Sequence, residues 1–423
     1  MRSQCNAAGG AILALALLPF APAAIAGAAE VTRDAAGVEH VRNGAAPRDG
    51  VRDMQLTELW RRGGEDDDEV LFGVIAQVLV DPAGNVYLLD MQLSQVQVFA
   101  PDGRFLRTLS REGEGPGEVR QPADMFMTDD GRLGLGVLFP GRVVYVTLEG
   151  EPAGTLAPGG GDPGRGGFSI LRGCRFGGGR TVLAVTNVAQ NAADGYQTRS
   201  PHIASYDAGG VELHVFHDSS YRLVFNEQVF REETLIDVPL RRFCVAGDGS
   251  VYVAPDRERY RIEVYRPDGR LARVIEREYP VHRRSAAELA TWTELFTASV
   301  RNQAPGFRWD VCATEPPIDW VFGGLWEHAD GRLWVRNSRS AIDQPAGCLS
   351  TYDVFDADGV FAEQVRVRCP GDPVEDKLFF AGADRVIQVT RYIDAVRTMM
   401  GGGAAGSGDE AAPMEVVCYR VEH

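Results

Sequence analysis

The sequence predicts an all-β fold, a single six-bladed β-propeller built from four-stranded antiparallel blades. Three observations support this prediction: a repeated phrase of four strand-like runs, tight Asp/Gly turns between those runs, and an unusual glycine content. Glycine occupies 49 of 423 positions, about 12% against a usual value of roughly 7%. Alternating apolar and polar residues indicate half-buried strands, and Asp-Gly pairs favour the turns of β-hairpins. With 44% hydrophobic residues, the chain can also build a packed core.

The repeated phrase is clearest in two stretches. Residues 76–109 read AQVLVDPAGNVYLLDMQLSQVQVFAPDGRFLRTL, and residues 241–275 read RRFCVAGDGSVYVAPDRERYRIEVYRPDGRLARVI. Self-similarity at this spacing is typical of repeat architectures. Weaker copies, which bring the total to six units, begin at Ala123, Ile170, Val321 and Lys377.

The last unit stops after its third strand, whereas an unassigned strand-like run, Met54–Arg62, precedes the first unit. We therefore expect this N-terminal strand to supply the missing outer strand of the last blade. Such an arrangement closes the ring and removes exposed sheet edges.

The stretch NVYLLD…VQVFAPDGRFLRTL, followed by GEGPGEVRQPADM, resembles the NHL-type repeat of exported bacterial six-bladed β-propellers. The first and fourth units match best, and GRLWV…YDVFDADG in the fifth unit is also similar. The resemblance implies a propeller over most of the chain. Members of the family include binding scaffolds and a few metal-dependent lyases and lactonases, so the fold alone does not determine the function.

The N-terminal residues have the features of a secretory signal peptide. Arg2 precedes the apolar run Ala11–Leu18, and Ala24-Ile25-Ala26 fits a small-residue cleavage site. The apolar run is too short to span a bilayer. We expect a signal peptide at 1–26, a linker at 27–50 and the propeller at 51–423, in a secreted or periplasmic protein with no membrane span.

The charge balance narrows the classes of function. The chain has 59 acidic and 43 basic residues, a formal charge of −16. A general nucleic-acid binder needs basic surface instead, so no nucleic-acid partner is expected. Lys377 is the only lysine, which leaves almost no candidate for Schiff-base chemistry or a Walker-type phosphate site.

The longer loops all fall on one predicted face of the propeller, and loops on a rigid scaffold often carry function. The largest excursion, a helical insertion at about 279–319 between the fourth and fifth blades, begins with a Ser285–Glu288 capping-box signal. Trp292 and Phe296 follow at helical spacing. These two aromatic residues either pack on the propeller or line a pocket in the insertion.

Residues at equivalent positions of the six units are predicted to meet at the mouth of the channel. They are Gln77, Asp124, Arg172, Arg242, Gly324 and Lys377. Three cations and one carboxylate favour a small anionic ligand and disfavour a bare divalent metal. Alternatively, these residues form ion pairs among themselves and with Asp319 or Asp376.

Six cysteines follow the signal peptide, and none forms a CxxC pair. Export permits disulfides, and we expect one between Cys312 and Cys348 on the long-loop face.

The sequence thus favours a monomeric, non-catalytic propeller that binds a protein partner or a small anion, without a cofactor or metal. The alternative is a metal-dependent enzyme of the lactonase or lyase type, with Ca²⁺ or Zn²⁺ in its channel.

Overall fold

The computed structural model describes residues 29–158, 167–191, 195–233, 239–300, 306–319, 321–382, 384–399 and 413–422. The predicted signal peptide at 1–26 lies outside these ranges. Strands dominate the fold, as the sequence predicts. Within the described ranges, no helix has the length and apolar character needed to cross a membrane.

Three strands precede the first repeat unit: β1 (Glu30–Arg33), β2 (Glu39–Asn43) and β3 (Val51–Gly63). Sheet I contains β4 (Ile75–Val80), β5 (Val86–Asp90), β6 (Gln95–Phe99) and β7 (Phe105–Leu109). Sheet II contains β8 (Pro122–Met127), β9 (Arg132–Val137), β10 (Arg142–Thr147) and β11 (Pro152–Leu156). Sheet III contains β12 (Phe168–Gly177), β13 (Arg180–Asn191), β14 (Tyr196–Tyr206), β15 (Glu212–Asp218) and β16 (Tyr221–Val224).

A short parallel pair, β17 (Val229–Arg231) and β22 (Arg308–Asp310), joins the loops beside the insertion. Sheet IV contains β18 (Phe243–Val245), β19 (Val251–Val253), β20 (Arg261–Tyr265) and β21 (Leu271–Arg277), extended by β2 and β1. Sheet V contains β23 (Leu325–Glu327), β24 (Leu333–Val335), β25 (Ser350–Phe355), β26 (Phe361–Arg368), β3, β29 (Glu415–Val421), β28 (Arg385–Val389) and β27 (Lys377–Ala381). The helices are α1 (Ala286–Val300), inside the predicted insertion, and α2 (Tyr392–Met399), which the sequence did not predict.

The segment predicted as a linker contains a β-hairpin, and this part of the domain division is corrected. Strand β2 pairs in parallel with β21, the outer strand of sheet IV. Asn43 is buried, and its amide nitrogen donates to the carbonyl oxygens of Glu276 and Gly359, each at 3.0 Å. The Phe361 amide donates back to Asn43 Oδ1 at 2.8 Å. Asn43 therefore ties the hairpin to both sheet IV and sheet V.

Strand β3 has two partners along its length. Residues 56–63 pair antiparallel with β29, and residues 51–55 pair in parallel with β26. The first pairing agrees with the outer-strand position predicted for Met54–Arg62. The second joins β23–β26 and β27–β29 into one eight-stranded sheet, which differs from the separate antiparallel blades that the repeats predict.

The core lies between neighbouring sheets, where their apolar faces meet. Tyr87 and Leu89 of sheet I, for example, pack in one cluster with Met125 and Leu135 of sheet II. Gly103 shows why one turn requires glycine. Its φ is +84°, and an added Cβ would lie 2.6 Å from a ring carbon of Trp60 in β3.

Candidate functional site

A cavity of about 730 Å³ lies where the inner strands β4, β8, β12, β18, β23 and β27 meet. This volume falls within the range of about 300–1,000 Å³ that is common for small-molecule sites. Four of the six residues predicted at the channel mouth, Gln77, Asp124, Arg172 and Lys377, line the cavity, whereas Gly324 and Arg242 do not.

Arg242 does not line the cavity, and this prediction is corrected. Its side chain is fully buried and donates to the carbonyl oxygens of Ile318 at 3.3 Å and Asp256 at 3.0 Å. Burial lowers the pKa of its guanidinium. Arg242 lies between a 3-10 turn over Pro239–Arg241 and the beginning of β18. The neighbouring Arg241 lines the cavity instead.

Asp124 holds several cavity residues together. It is 6% exposed. One carboxylate oxygen accepts from Gln77 Nε2 at 2.9 Å, and the other accepts from the Cys174 amide at 2.9 Å and from the guanidinium of Arg175. Asp124 thus forms an ion pair, but its partner is Arg175, which lies outside the predicted set of channel residues.

Lys377 lies at the beginning of β27 with its ammonium group between two aromatic rings. The Nζ atom is 4.5 Å from the ring centre of Phe379 and 4.6 Å from that of Tyr392. It also donates to the carbonyl oxygen of Ala76 at 3.4 Å. Ring faces attract a cation, so these contacts hold the ammonium group at the cavity wall.

Positive charge predominates in the cavity lining. The cationic residues are Arg172, Arg175, Arg241, Arg336 and Lys377, and the acidic residues are Asp124 and Glu327. Of the two carboxylates predicted as ion-pair partners, Asp319 pairs with Arg336 at 2.7 Å. Asp376 accepts from two backbone amides and Gln388, and burial raises its pKa.

The insertion packs through aromatic contacts outside this cavity. Phe296 is 6% exposed, and its ring centre lies 5.3 Å from that of Trp292 and 4.7 Å from that of Trp309. The Arg284 guanidinium lies 5.0 Å from the Trp292 ring centre. Trp292 and Phe296 therefore belong to an aromatic packing cluster of the insertion, and neither lines the cavity between the inner strands.

The predicted capping box is present at the first turn of α1. The Ser285 amide donates to Glu288 Oε2 at 2.7 Å, and the Glu288 amide donates to Ser285 Oγ at 3.3 Å. Hydrogen bonds from Ser285, followed by one from His282, lower the pKa of Glu288 to about 2.

We expect Glu288→Ala to lower the free energy of unfolding by about 1 kcal/mol at pH 7. Because the folded-state pKa is lowered, this contribution is complete above about pH 4.5 and is lost as the pH falls toward about 2. Urea unfolding at pH 7 and pH 3 measures the change, with the exposed Glu294→Ala on the same helix as control. An equal loss of unfolding free energy in Glu288→Ala at pH 7 and pH 3 would contradict this prediction.

The structure does not contain the predicted disulfide, because Cys312 and Cys348 are both free thiols. Their surroundings differ. The Cys312 amide donates to Glu232 beside the insertion at 2.9 Å, whereas Cys348 Sγ donates to the carbonyl oxygen of Ser350 at 3.5 Å. Among the described residues, no group of three or more His, Cys, Asp or Glu side chains is placed to hold a metal ion.

A family model described as a 6-bladed beta-propeller matches residues 65–150. The chain is a β-propeller. No curated protein matches it.

Two of the similar solved structures are a Bacteroides fragilis protein whose description proposes that it is exported, and the virginiamycin B lyase of Staphylococcus aureus. The first has 10% identity and a TM-score of 0.47, covering 91% of this chain and 100% of that chain. The lyase has 11% identity and a TM-score of 0.39, covering 78% of this chain and 81% of that chain.

The PQQ-bound aldose sugar dehydrogenase of Streptomyces coelicolor is also similar, with 13% identity and a TM-score of 0.42 over 87% of this chain and 98% of that chain. Because identities are this low, the likeness concerns the fold and gives no activity for this chain.

Proposed function

We propose that this protein is an exported, non-catalytic six-bladed propeller of the NHL type that binds a small anionic ligand at the cationic mouth of its channel. Export is supported by the signal-peptide features around Arg2 and Ala24-Ile25-Ala26. The NHL assignment is supported by the repeat phrase at residues 76–109.

Six blades in a closed ring account for the strand arrangement. Six inner strands line one cavity, and sheets I to IV each supply one of them. Sheet V supplies two, β23 and β27, so it divides into blade β23–β26 and a blade of β27–β29 completed by β3. The N-terminal strand then closes the ring on its outer side, which leaves no open blade edge at the junction.

The observation that supports anion binding is the local charge of the cavity. Its lining has five cationic and two acidic residues, although the protein as a whole has a charge of −16. A cleft with low-dielectric walls concentrates the field of its charges and raises the local concentration of oppositely charged ligands. Carboxylates and sulfate match such a site because they accept charge-assisted hydrogen bonds from Lys and Arg.

Binding of sulfate, acetate and glucuronate to the purified protein tests this function. We expect a carboxylate to raise the melting temperature and to give a saturable calorimetric titration. The variant Lys377→Met should bind about tenfold or more weakly, since a hydrogen bond to a charged group contributes about 1.5–3 kcal/mol. Arg270→Met is the control, because Arg270 lies in a turn outside the cavity lining.

Two outcomes would contradict the proposal. One is the absence of binding by any anion, aromatic carboxylates included. The other is equal affinity in the wild type and Lys377→Met. Stoichiometric Ca²⁺ or Zn²⁺ that only a strong chelator removes would instead favour the alternative, a metal-dependent lactonase or lyase.

A further inference from the structure

The channel lining has two chemically different sides. The side formed by β23, β27 and their adjoining loops, here called the aromatic wall, carries Phe322, Trp326, Phe379, Phe380 and Tyr392. The side formed by β4, β8 and β12, here called the polar wall, carries Gln77, Asp124, Arg172 and Arg175. The aromatic wall also carries charged groups, namely Glu327, Arg336 and Lys377. A ligand that fills this cavity can therefore contact aromatic rings and a cation on the same side, and hydrogen-bonding groups on the other.

The aromatic wall offers ring surface to the cavity. Trp326 and Phe380 stack with their ring centres 5.1 Å apart and an interplanar angle of 18°. Phe322 and Tyr392 approach to 5.8 Å between ring centres. All four side chains are half-buried while lining the cavity. Apolar ring surface exposed to water favours an apolar occupant, and aromatic rings favour stacked or edge-to-face partners.

A cation lies next to this apolar surface. Lys377 Nζ contacts the rings of Phe379 and Tyr392, so the charged group adjoins the part of the aromatic wall that these two rings form. The position of Tyr392 at the first turn of α2 is supported by the Asp394 amide, which donates to Glu375 Oε2 at 2.9 Å. A ligand with an anionic group beside a flat apolar body can contact both features together.

We propose that the ligand is an aromatic carboxylate, whose rings lie against Trp326 and Phe380 and whose carboxylate lies at Lys377. This inference rests on the proposed anion-binding function and specifies its ligand class. The cavity of about 730 Å³ has room for two or more fused rings. A simple anion such as acetate, or a polar sugar acid, leaves the apolar surface of the aromatic wall unmatched.

Calorimetric titration of the full chain with four matched probes tests the ligand class. The probes are 2-naphthoate, its saturated decahydro analogue, the neutral 2-naphthalenemethanol and glucuronate. We expect 2-naphthoate to bind about threefold to tenfold more tightly than the saturated acid, since aromatic pairing adds to the effect of buried area. It should bind about tenfold or more tightly than the neutral alcohol, because the alcohol lacks the charge-assisted contact.

Two classes of variant should separate the two contributions. Trp326→Leu is expected to abolish the preference for 2-naphthoate over its saturated analogue while keeping the preference for acid over alcohol. Lys377→Met should abolish the preference for the acid over the neutral alcohol while keeping the preference for 2-naphthoate over its saturated analogue. Phe380→Leu provides a second aromatic-wall variant if Trp326→Leu does not fold, as judged by circular dichroism and melting temperature.

The outcomes distinguish this inference from the proposed function. Equal affinity for 2-naphthoate and the saturated acid, or tighter binding of glucuronate, would overturn the aromatic ligand class and leave the anion site standing. Failure of every carboxylate to bind would overturn both. Binding of 2-naphthoate with unchanged selectivity in the aromatic-wall variants would overturn the placement of its rings.

Discussion

Replacing Glu232 with glutamine is expected to lower the free energy of unfolding by about 3–5 kcal/mol, the usual cost of breaking a buried ion pair. Glu232 is 5% exposed. Its carboxylate accepts from Arg257 at 3.0 Å, from Arg284 at 2.6 and 3.0 Å, and from the Cys312 amide at 2.9 Å. Without this carboxylate, the buried Arg284 guanidinium loses its ion-pair partner, and Arg257 keeps only the more exposed Glu258. The insertion then loses its polar attachment beside β17.

Chemical denaturation at pH 7 measures this effect, and Glu227→Ala provides a matched control. Glu227 pairs with Arg231 at 2.7 Å, but both side chains are 45% exposed. Exposed pairs contribute about 0–1 kcal/mol, so this variant should be nearly as stable as the wild type. Similar losses of unfolding free energy in Glu232→Gln and Glu227→Ala would contradict the expectation that the buried ion pairs of Glu232 contribute more to stability than the exposed pair of Glu227.

Truncation of the chain through Gly63 is expected to abolish the folded monomer. This change removes all of β3, which is the strand partner of both β29 and the outer side of β26. It also removes Met54 and Trp60, which are 4% and 7% exposed. Losses of about 2–5 kcal/mol for each such side chain approach the total stability of about 5–15 kcal/mol typical of a native protein. The outer edges of β21, β26 and β29 would then be open, which favours aggregation.

Size-exclusion chromatography with light scattering tests the truncation. A shorter truncation through Arg33 provides the control, because it removes β1, whose residues are all exposed. This control should elute as a folded species with a melting temperature close to that of the full chain. A folded monomer after truncation through Gly63 would contradict the role of β3 in closing the ring.

Local patterns predicted the parts of the fold that depend on neighbouring residues. The Ser285–Glu288 spacing correctly located the beginning of α1, because a capping box joins residues three positions apart. The run Met54–Arg62 was recognisable as a strand because its own residues carry a strand-like pattern. Most of the channel residues also followed from the repeat, because equivalent positions face the same channel.

Long-range and irregular features could not be predicted in this way. The hairpin of β1 and β2 pairs with β21, more than 200 positions away, and parallel pairing with so distant a segment leaves no local signal. A 3-10 turn at Pro239–Arg241 interrupts the regular strand pattern before β18, and Arg241 rather than Arg242 lines the cavity. The pairing of Asp124 with Arg175 depends on side-chain direction across two sheets.

A crystal structure of the complex with 2-naphthoate is the most direct test of the channel as a ligand site. We expect one molecule in the cavity, with its carboxylate within hydrogen-bond distance of Lys377 Nζ and its rings against Trp326 and Phe380. A saturated complex whose ligand lies on the outer loops, or in the channel with its carboxylate away from Lys377, would contradict this expectation.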